Sequence, residues 1–291
     1  MDRIAILKID ELNENSFGND FYANTIPNHL ISNHSRIEKP HKHNFYATML
    51  FTRGTGIHEV DFSIYQVRPG SVFLLAPGQT HSWELSEDVD GFIFFHTQEF
   101  FDMVFVRERI REYPIYTSVY HSSAIYIEGN FLKHVANLFQ QVLVEYKNAQ
   151  WKRHQLILNI TSQLYIELNR FAIAEDDFPT AHFSQYNFRF LEFEDLLEAH
   201  FLTVKSPAVY ADWLHITPKH LNRITRSLVN KTTTDIILER VVLEAKRMLI
   251  YTGKSFNEIA SLLGYEDYSY FSKLFKKRSG ETPREFLKRY E

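Results

Sequence analysis

The stretch GYEDYSYFSKLFKK, residues 264–277, decides how the last third of this chain is read. Tyr265, Phe271, Leu274 and Phe275 recur at the three- and four-residue steps that place apolar groups on one helix face. Ser269, Tyr270, Lys273, Lys276 and Lys277 take the remaining surface. One side is made to be buried, and the other is polar, aromatic and positively charged. A solvated helix accounts for the lysines, but it does not ask for exposed tyrosines in its first turn.

Working outward, the segment belongs to a weak internal repeat. ADWLHITPKHLNRITRSLVN (211–230) lies beside ASLLGYEDYSYFSKLFKKRSG (260–280). Each copy reads as a short helix, a tight turn and a second helix. Thr217 is suited to cap the second helix of the first copy, with Pro218 at its first position, where a missing N–H costs nothing. Asp267 takes that place in the second copy, and Gly264 falls where the turn calls for positive φ. Between the copies, TDIILERVVLEAKRMLIY (234–251) has Ile237, Val241, Ala245 and Leu249 on one line, as in a continuous helix. Thr282 and Pro283 open a last short helix. Two helix-turn-helix units at about 208–229 and 256–279, held apart by a stiff helix, are a geometry for double-stranded DNA.

Length and composition narrow the remainder. The 291 residues suffice for two domains, and 44% hydrophobic against 23% charged residues marks a globular chain. Without cysteine there is neither a disulfide framework nor a thiolate metal site. No apolar run reaches the ~18–20 residues of a membrane span, so a soluble cytoplasmic protein is expected. The net charge of −4 is unevenly spread: from Asn187 onward 17 Lys and Arg face 14 Asp and Glu. That excess is small, but KLFKKR (273–278) concentrates it where a phosphate backbone would meet it.

Upstream, residues from about 21 to 100 read as β-structure. VDFSIYQV (60–67) alternates, RPGS (68–71) turns, VFLLA (72–76) is a buried strand, and DGFIFFH (90–96) follows the PGQTH turn. From about 128 to 172 the period becomes helical. Phe131, Val135, Leu138, Val142 and Tyr146 form one stripe and Ile157, Ile160, Leu164 and Leu168 another, with KNAQWK turning the hairpin. EDDFPTAHFSQ is the linker candidate, giving domains at 1–174 and 187–291 with a linker at 175–186.

SFNEIASLLGYEDYSYFSKLFKKRSGETPREF (255–286) resembles the C-terminal signature of the AraC/XylS family of bacterial transcription regulators, and ERVVLEAKRMLIYTG (239–253) resembles that family's linker helix. HLNR (220–223) fits the first unit, although Thr225 stands where the family often has phenylalanine and Asn230 where it usually has glycine. The resemblance implies base-facing positions at Lys219, Asn222, Arg223, Tyr268, Ser269, Tyr270 and Lys273. Arg and Lys suit guanine and Asn suits adenine. Arg226, Lys276 and Lys277 read as phosphate contacts, which position without specifying.

HKHNFYATMLFTRGTGIHEVDFSIYQVRPGSVFLLAPGQTHSW (41–83) resembles the cupin-like sensor domain of the same family. His41, His43 and His81 occupy the histidine positions of a metal cupin, but Ala47 and Thr48 stand where its glutamate belongs. The expected architecture is therefore α+β: a cupin-like barrel with a helical hairpin, then an all-α tandem helix-turn-helix domain. The expected function is a DNA-binding transcription regulator without catalytic residues, cofactor or metal. Its barrel would sense a small-molecule effector through His41, His43, Tyr46, His81, Trp83 and Phe94. Promoter DNA, a second copy of the chain and RNA polymerase are the expected partners. Two alternatives are a metal-dependent cupin enzyme fused to a DNA-binding domain, and a constitutive regulator whose barrel is only a scaffold.

Overall fold

The computed structural model describes residues 6–12, 20–37, 39–102, 110, 113–116, 122–148, 150–175 and 186–290. The expected linker at 175–186 falls almost wholly outside them. The chain divides into two compact units, the strands with a helical hairpin in one and the C-terminal helices in the other.

In the first unit the elements run β1 (Ile6–Leu7), α1 (Ile9–Leu12), β2 (Phe21–Thr25), α2 (Ile26–Ile37), β3 (His41–His43) and β4 (Tyr46–Arg53). They continue as β5 (Gly56–Val60), β6 (Ser63–Val67), β7 (Ser71–Leu75), β8 (Thr80–Leu85), β9 (Asp90–His96) and α3 (Gln98–Asp102). β10 (Ala124–Tyr126) and the hairpin α4 (Gly129–Lys147) and α5 (Arg153–Glu175) complete it. Two five-stranded sheets result, ordered β1-β3-β8-β5-β6 and β10-β7-β4-β9-β2.

Alternation along the second sheet builds two cores. Ala47, Met49 and Phe51 of β4, with Ile93 and Phe95 of β9, face the first sheet and pack with Leu7, Phe45, Val60, Val67 and Phe73. Their neighbours Tyr46, Leu50 and Phe94 face the other way, onto Val135, Leu138 and Val142 of α4 and Ile157, Leu164 and Leu168 of α5. Both helical stripes read from the sequence are thus spent against the sheet. Each such side chain, buried from water, contributes ~1.5–3 kcal/mol before chain entropy is subtracted.

Two expectations fail here. VDFSIYQV is not one strand: Asp61 and Phe62 both take positive φ (46° and 71°) and turn β5 into β6. Left-handed backbone at both central positions matches the twist of a two-residue hairpin. Asp61 Oδ1 also accepts from the Thr80 N–H at 3.1 Å, pinning the turn to β8. The apolar Phe62 hid this turn. Nor is 21–100 all strand, because Ile26–Ile37 is helical. Ile26, His29 and Asn33 are buried among its described side chains, a helical spacing among polar residues.

In the second unit, α6 (Tyr186–His200) precedes α7 (Pro207–Trp213), α8 (Pro218–Val229), α9 (Thr233–Tyr251), α10 (Phe256–Leu262), α11 (Tyr268–Ser279) and α12 (Pro283–Lys288). Thr217 accepts from the His220 N–H and Asp267 from the Ser269 N–H, capping α8 and α11. Asn230 ends α8 in the left-handed conformation at φ 53°. The two tight turns use His215 (φ 54°) and Gly264 (φ 80°). A Cβ at Gly264 would lie 2.5 Å from the Leu202 carbonyl oxygen, so glycine is required for space as well as for φ. Thr232 and Asp235 form a reciprocal cap on α9, and Ile237, Val241, Ala245 and Leu249 are all buried along it. Arg240 of α9, itself buried, grips Glu198 of α6 through two bonds of 2.6 and 3.0 Å, and its guanidinium lies 3.9 Å over the Phe201 ring.

Candidate functional site

The first surface is built by α8 and α11. Leu221, Ile224 and Thr225 of α8 and Phe271 and Phe275 of α11 are buried, which fixes the direction of the opposite faces. Lys219, Arg223 and Arg226 are exposed on α8. Ser269, Tyr270, Lys273, Lys276 and Lys277 are exposed on α11, with Tyr270 at 62%. The lysines and arginines sit on rigid, capped helices, while Arg278 is turned inward to an ion pair with Asp235 at 2.6 Å.

Two of the sequence-derived contacts also have partners inside the domain. Asn222 is half-buried, and its Oδ1 accepts from the Thr233 N–H at 3.2 Å, closing the turn from α8 to α9. Tyr268 is also half-buried, its ring stacked on Phe256 with centroids 5.8 Å apart. Both hold the domain together in this structure.

The second site lies between the two sheets of the first unit. Strand register decides its membership. His41 is paired with His81, His81 with Val60, and His58 with Trp83. Residues two apart on a strand share a face, so His41 and His43, His58 and Val60, and His81 and Trp83 point the same way. His41, His43 and His81 converge, each able to offer a ring nitrogen within 4.8 Å of the others, and all three are buried. His81 Nε2 lies 2.9 Å from His43 Nε2, and His81 Nδ1 lies 2.9 Å from His58 Nε2. His41 Nδ1 bonds the Lys39 carbonyl at 3.0 Å. No Asp, Glu or further residue joins the three among the described residues.

Burial holds these rings neutral. It pushes His58 down to about 3 and His43 and His81 well below the ordinary imidazole value, with neighbouring histidines adding to it. His41 is lowered by burial, in part against its bond to the Lys39 carbonyl. His29 of α2, bonded at 2.9 Å to the Tyr22 hydroxyl, is pushed to about 3 by the same cause.

Tyr46 and Phe94 do not belong to this chamber. Both lie on the opposite face of the second sheet, packed against the hairpin. The expectation grouped six residues that the pleat divides four and two: an odd number of steps along a strand reverses the side chain. In their place the sheet brings His58 and, from α2, His29. Both are legible in hindsight, His58 through its alternation with the inward Val60.

The face carrying Tyr46 has its own buried polar network. Thr48 Oγ1 is 3.1 Å from the Tyr116 hydroxyl and 3.2 Å from that of Tyr165 on α5. His96 Nε2 is 2.7 Å from the Tyr165 hydroxyl, and Tyr46 donates to Gln98 at 2.8 Å. This network ties β4 and β9 to the hairpin, and nothing in the periodicity announced it.

The comparisons with known proteins agree with both halves. A model described as an AraC-like ligand binding domain matches residues 31–168, and one described as a helix-turn-helix domain matches 210–289. The arabinose operon regulatory protein of Salmonella typhimurium is 22% identical over 86% of this chain and 86% of its own length. The transcriptional activator RhaS of an Enterobacter species is 23% identical over 84% of this chain and 86% of its own. The bifunctional transcriptional activator and DNA repair enzyme AdaA of Bacillus subtilis is 37% identical, but over only 26% of this chain and 36% of its own. With a ligand-binding module over the paired sheets and a helix-turn-helix module over the C-terminal helices, the chain belongs to the AraC family of transcription regulators.

Proposed function

We propose that α8 and α11 enter successive major grooves of promoter DNA, with Lys219 and Arg223 reading one half of the site and Ser269, Tyr270 and Lys273 the other. Arg226, Lys276 and Lys277 grip phosphates. One observation carries this: both helices are capped and anchored on α9, and over their first two turns α8 exposes Lys219 and Arg223 while α11 exposes Ser269, Tyr270 and Lys273. An anchored helix holds its donors in the fixed array that base edges demand.

The interior between the sheets is the effector chamber, with His41, His43, His58, His81 and Trp83 as its polar and aromatic wall. An effector that prefers one arrangement of the chain shifts DNA affinity by its differential binding, typically ~1–3 kcal/mol. The chain acts by binding and not by turnover, in the cytoplasm, and works with RNA polymerase at its promoters. A homodimer forms through the outer surface of the α4–α5 hairpin, which leaves Val144, Trp151, Leu156 and Ile166 exposed although both inward stripes are spent.

Selection of binding sites from random DNA by the full chain tests the central reading. A motif of two elements about one helical turn apart is expected. Enrichment of no motif at all, or of a single element only, contradicts it.

A further inference from the structure

We infer that His41, His43 and His81 form a binding site for one divalent transition-metal ion of the zinc class, with His58 as the positioning residue behind it. This rests on reading the same interior as the ligand chamber and names what that chamber holds.

A carbonyl oxygen only accepts, so the bond from His41 to Lys39 places the His41 proton on Nδ1 and leaves Nε2 a bare lone pair. His81 carries one proton for two short contacts. If Nδ1–H donates to His58 Nε2, then His81 Nε2 is bare as well and faces His43 Nε2 at 2.9 Å. The His58 proton then sits on Nδ1, the buried nitrogen that has no partner. His41 and His81 thus keep Nε2 free to ligate while donating from Nδ1 to an outer group, the arrangement seen around ligated imidazoles. The same logic explains why a buried histidine stands behind His81 where a wholly structural core would take an apolar residue.

Loading an ion asks the three rings to draw toward a common centre, since their ring nitrogens spread over up to 4.8 Å. Tetrahedral bonds of 2.0–2.1 Å set ligand nitrogens about 3.3 Å apart. The His43–His81 pair must open by about 0.4 Å, and the one proton between them, on His43 Nε2, must move to His43 Nδ1, with none released. Three imidazoles without carboxylate or thiolate select late first-row cations and reject magnesium and calcium. A fourth position is left open, because no further His, Cys, Asp or Glu joins the three among the described residues.

The site is tested by titrating chelator-treated full-length protein with Co2+ and following visible absorption, with Zn2+ and Mg2+ as competitors. One equivalent of Co2+ is expected to give a four- or five-coordinate spectrum that Zn2+ abolishes and Mg2+ does not. H43Q and H81Q should each lose it, and H58F should keep one equivalent at about 10- to 100-fold weaker affinity. No saturable spectrum from the wild-type protein overturns the proposal, whatever the variants do. So does an unchanged spectrum in an H43Q or H81Q protein whose circular dichroism matches the wild type. DNA binding is read separately by fluorescence anisotropy. Protein that binds its selected DNA but takes up no Co2+ sinks the metal site and leaves the regulator reading intact.

Discussion

Thr225 Oγ1 lies 3.4 Å from Thr233 Oγ1, both residues wholly buried where α8 packs on the start of α9. Thr225 also donates to the Asn222 carbonyl at 3.1 Å, so the hydroxyl that replaces the family's usual aromatic ring is satisfied twice. The first helix-turn-helix unit is held by a small polar cluster, Asn222, Thr225 and Thr233, where the second is held by Phe271 and Phe275.

That cluster predicts non-additive stability. Thr225→Val leaves the Thr233 hydroxyl buried and unpaired, at a cost of ~1–2 kcal/mol. Adding Thr233→Val removes the orphan, so the double variant should lose clearly less than the two singles together. Urea unfolding of the four proteins checks this. Strict additivity contradicts the pairing.

Gly264 and Gly280, two of the left-handed glycines of the second unit, differ in what surrounds them. Gly264→Ala meets both an unfavourable φ and the Leu202 carbonyl, whereas Gly280 at φ 86° has open space around it. Gly264→Ala should therefore cost about 3 kcal/mol or more, and Gly280→Ala about 1 kcal/mol. Equal losses in thermal unfolding would remove the steric part of the argument.

Stability should fall with acid well above the range of carboxylates. Burial holds His29 at about 3 and His96 at about 4, below the 6.5 of an exposed imidazole. The unfolded chain therefore binds more protons below pH 6.5, so this contribution is complete above that pH and shrinks as pH falls toward 3–4. Between pH 7 and 5 each ring removes roughly 2 kcal/mol. The urea midpoint of the first unit should drop steeply over that interval. A flat midpoint would show that the rings are not buried neutral.

Much of this was legible because the relevant signals are local. Asp267, Thr217 and the steps from Tyr265 to Phe275 are a cap and a period, and both depend only on neighbouring residues. The chamber was half legible. HKH and HSW gave His41, His43, His81 and Trp83, but Tyr46 and Phe94 were chosen by aromatic character, and the pleat turned them to the hairpin. The Thr48–Tyr165 network depends on register across strands and on a helix more than a hundred residues away, which no local pattern encodes. Asn222 fits base readout by its position, and in this structure its Oδ1 also accepts from the backbone N–H of Thr233.

The division of labour between the two helices is tested most directly by repeating the site selection with Arg223→Ala, Lys273→Ala and Lys277→Ala in the full chain. Arg223→Ala should relax base preference in one half-site only and Lys273→Ala in the other, each by ~1–3 kcal/mol of discrimination. Lys277→Ala should keep the motif, weaken binding to all sequences, and lower the salt slope by about one. Loss of discrimination in both halves from a single substitution, or equal losses on selected and random DNA from all three, would contradict the account.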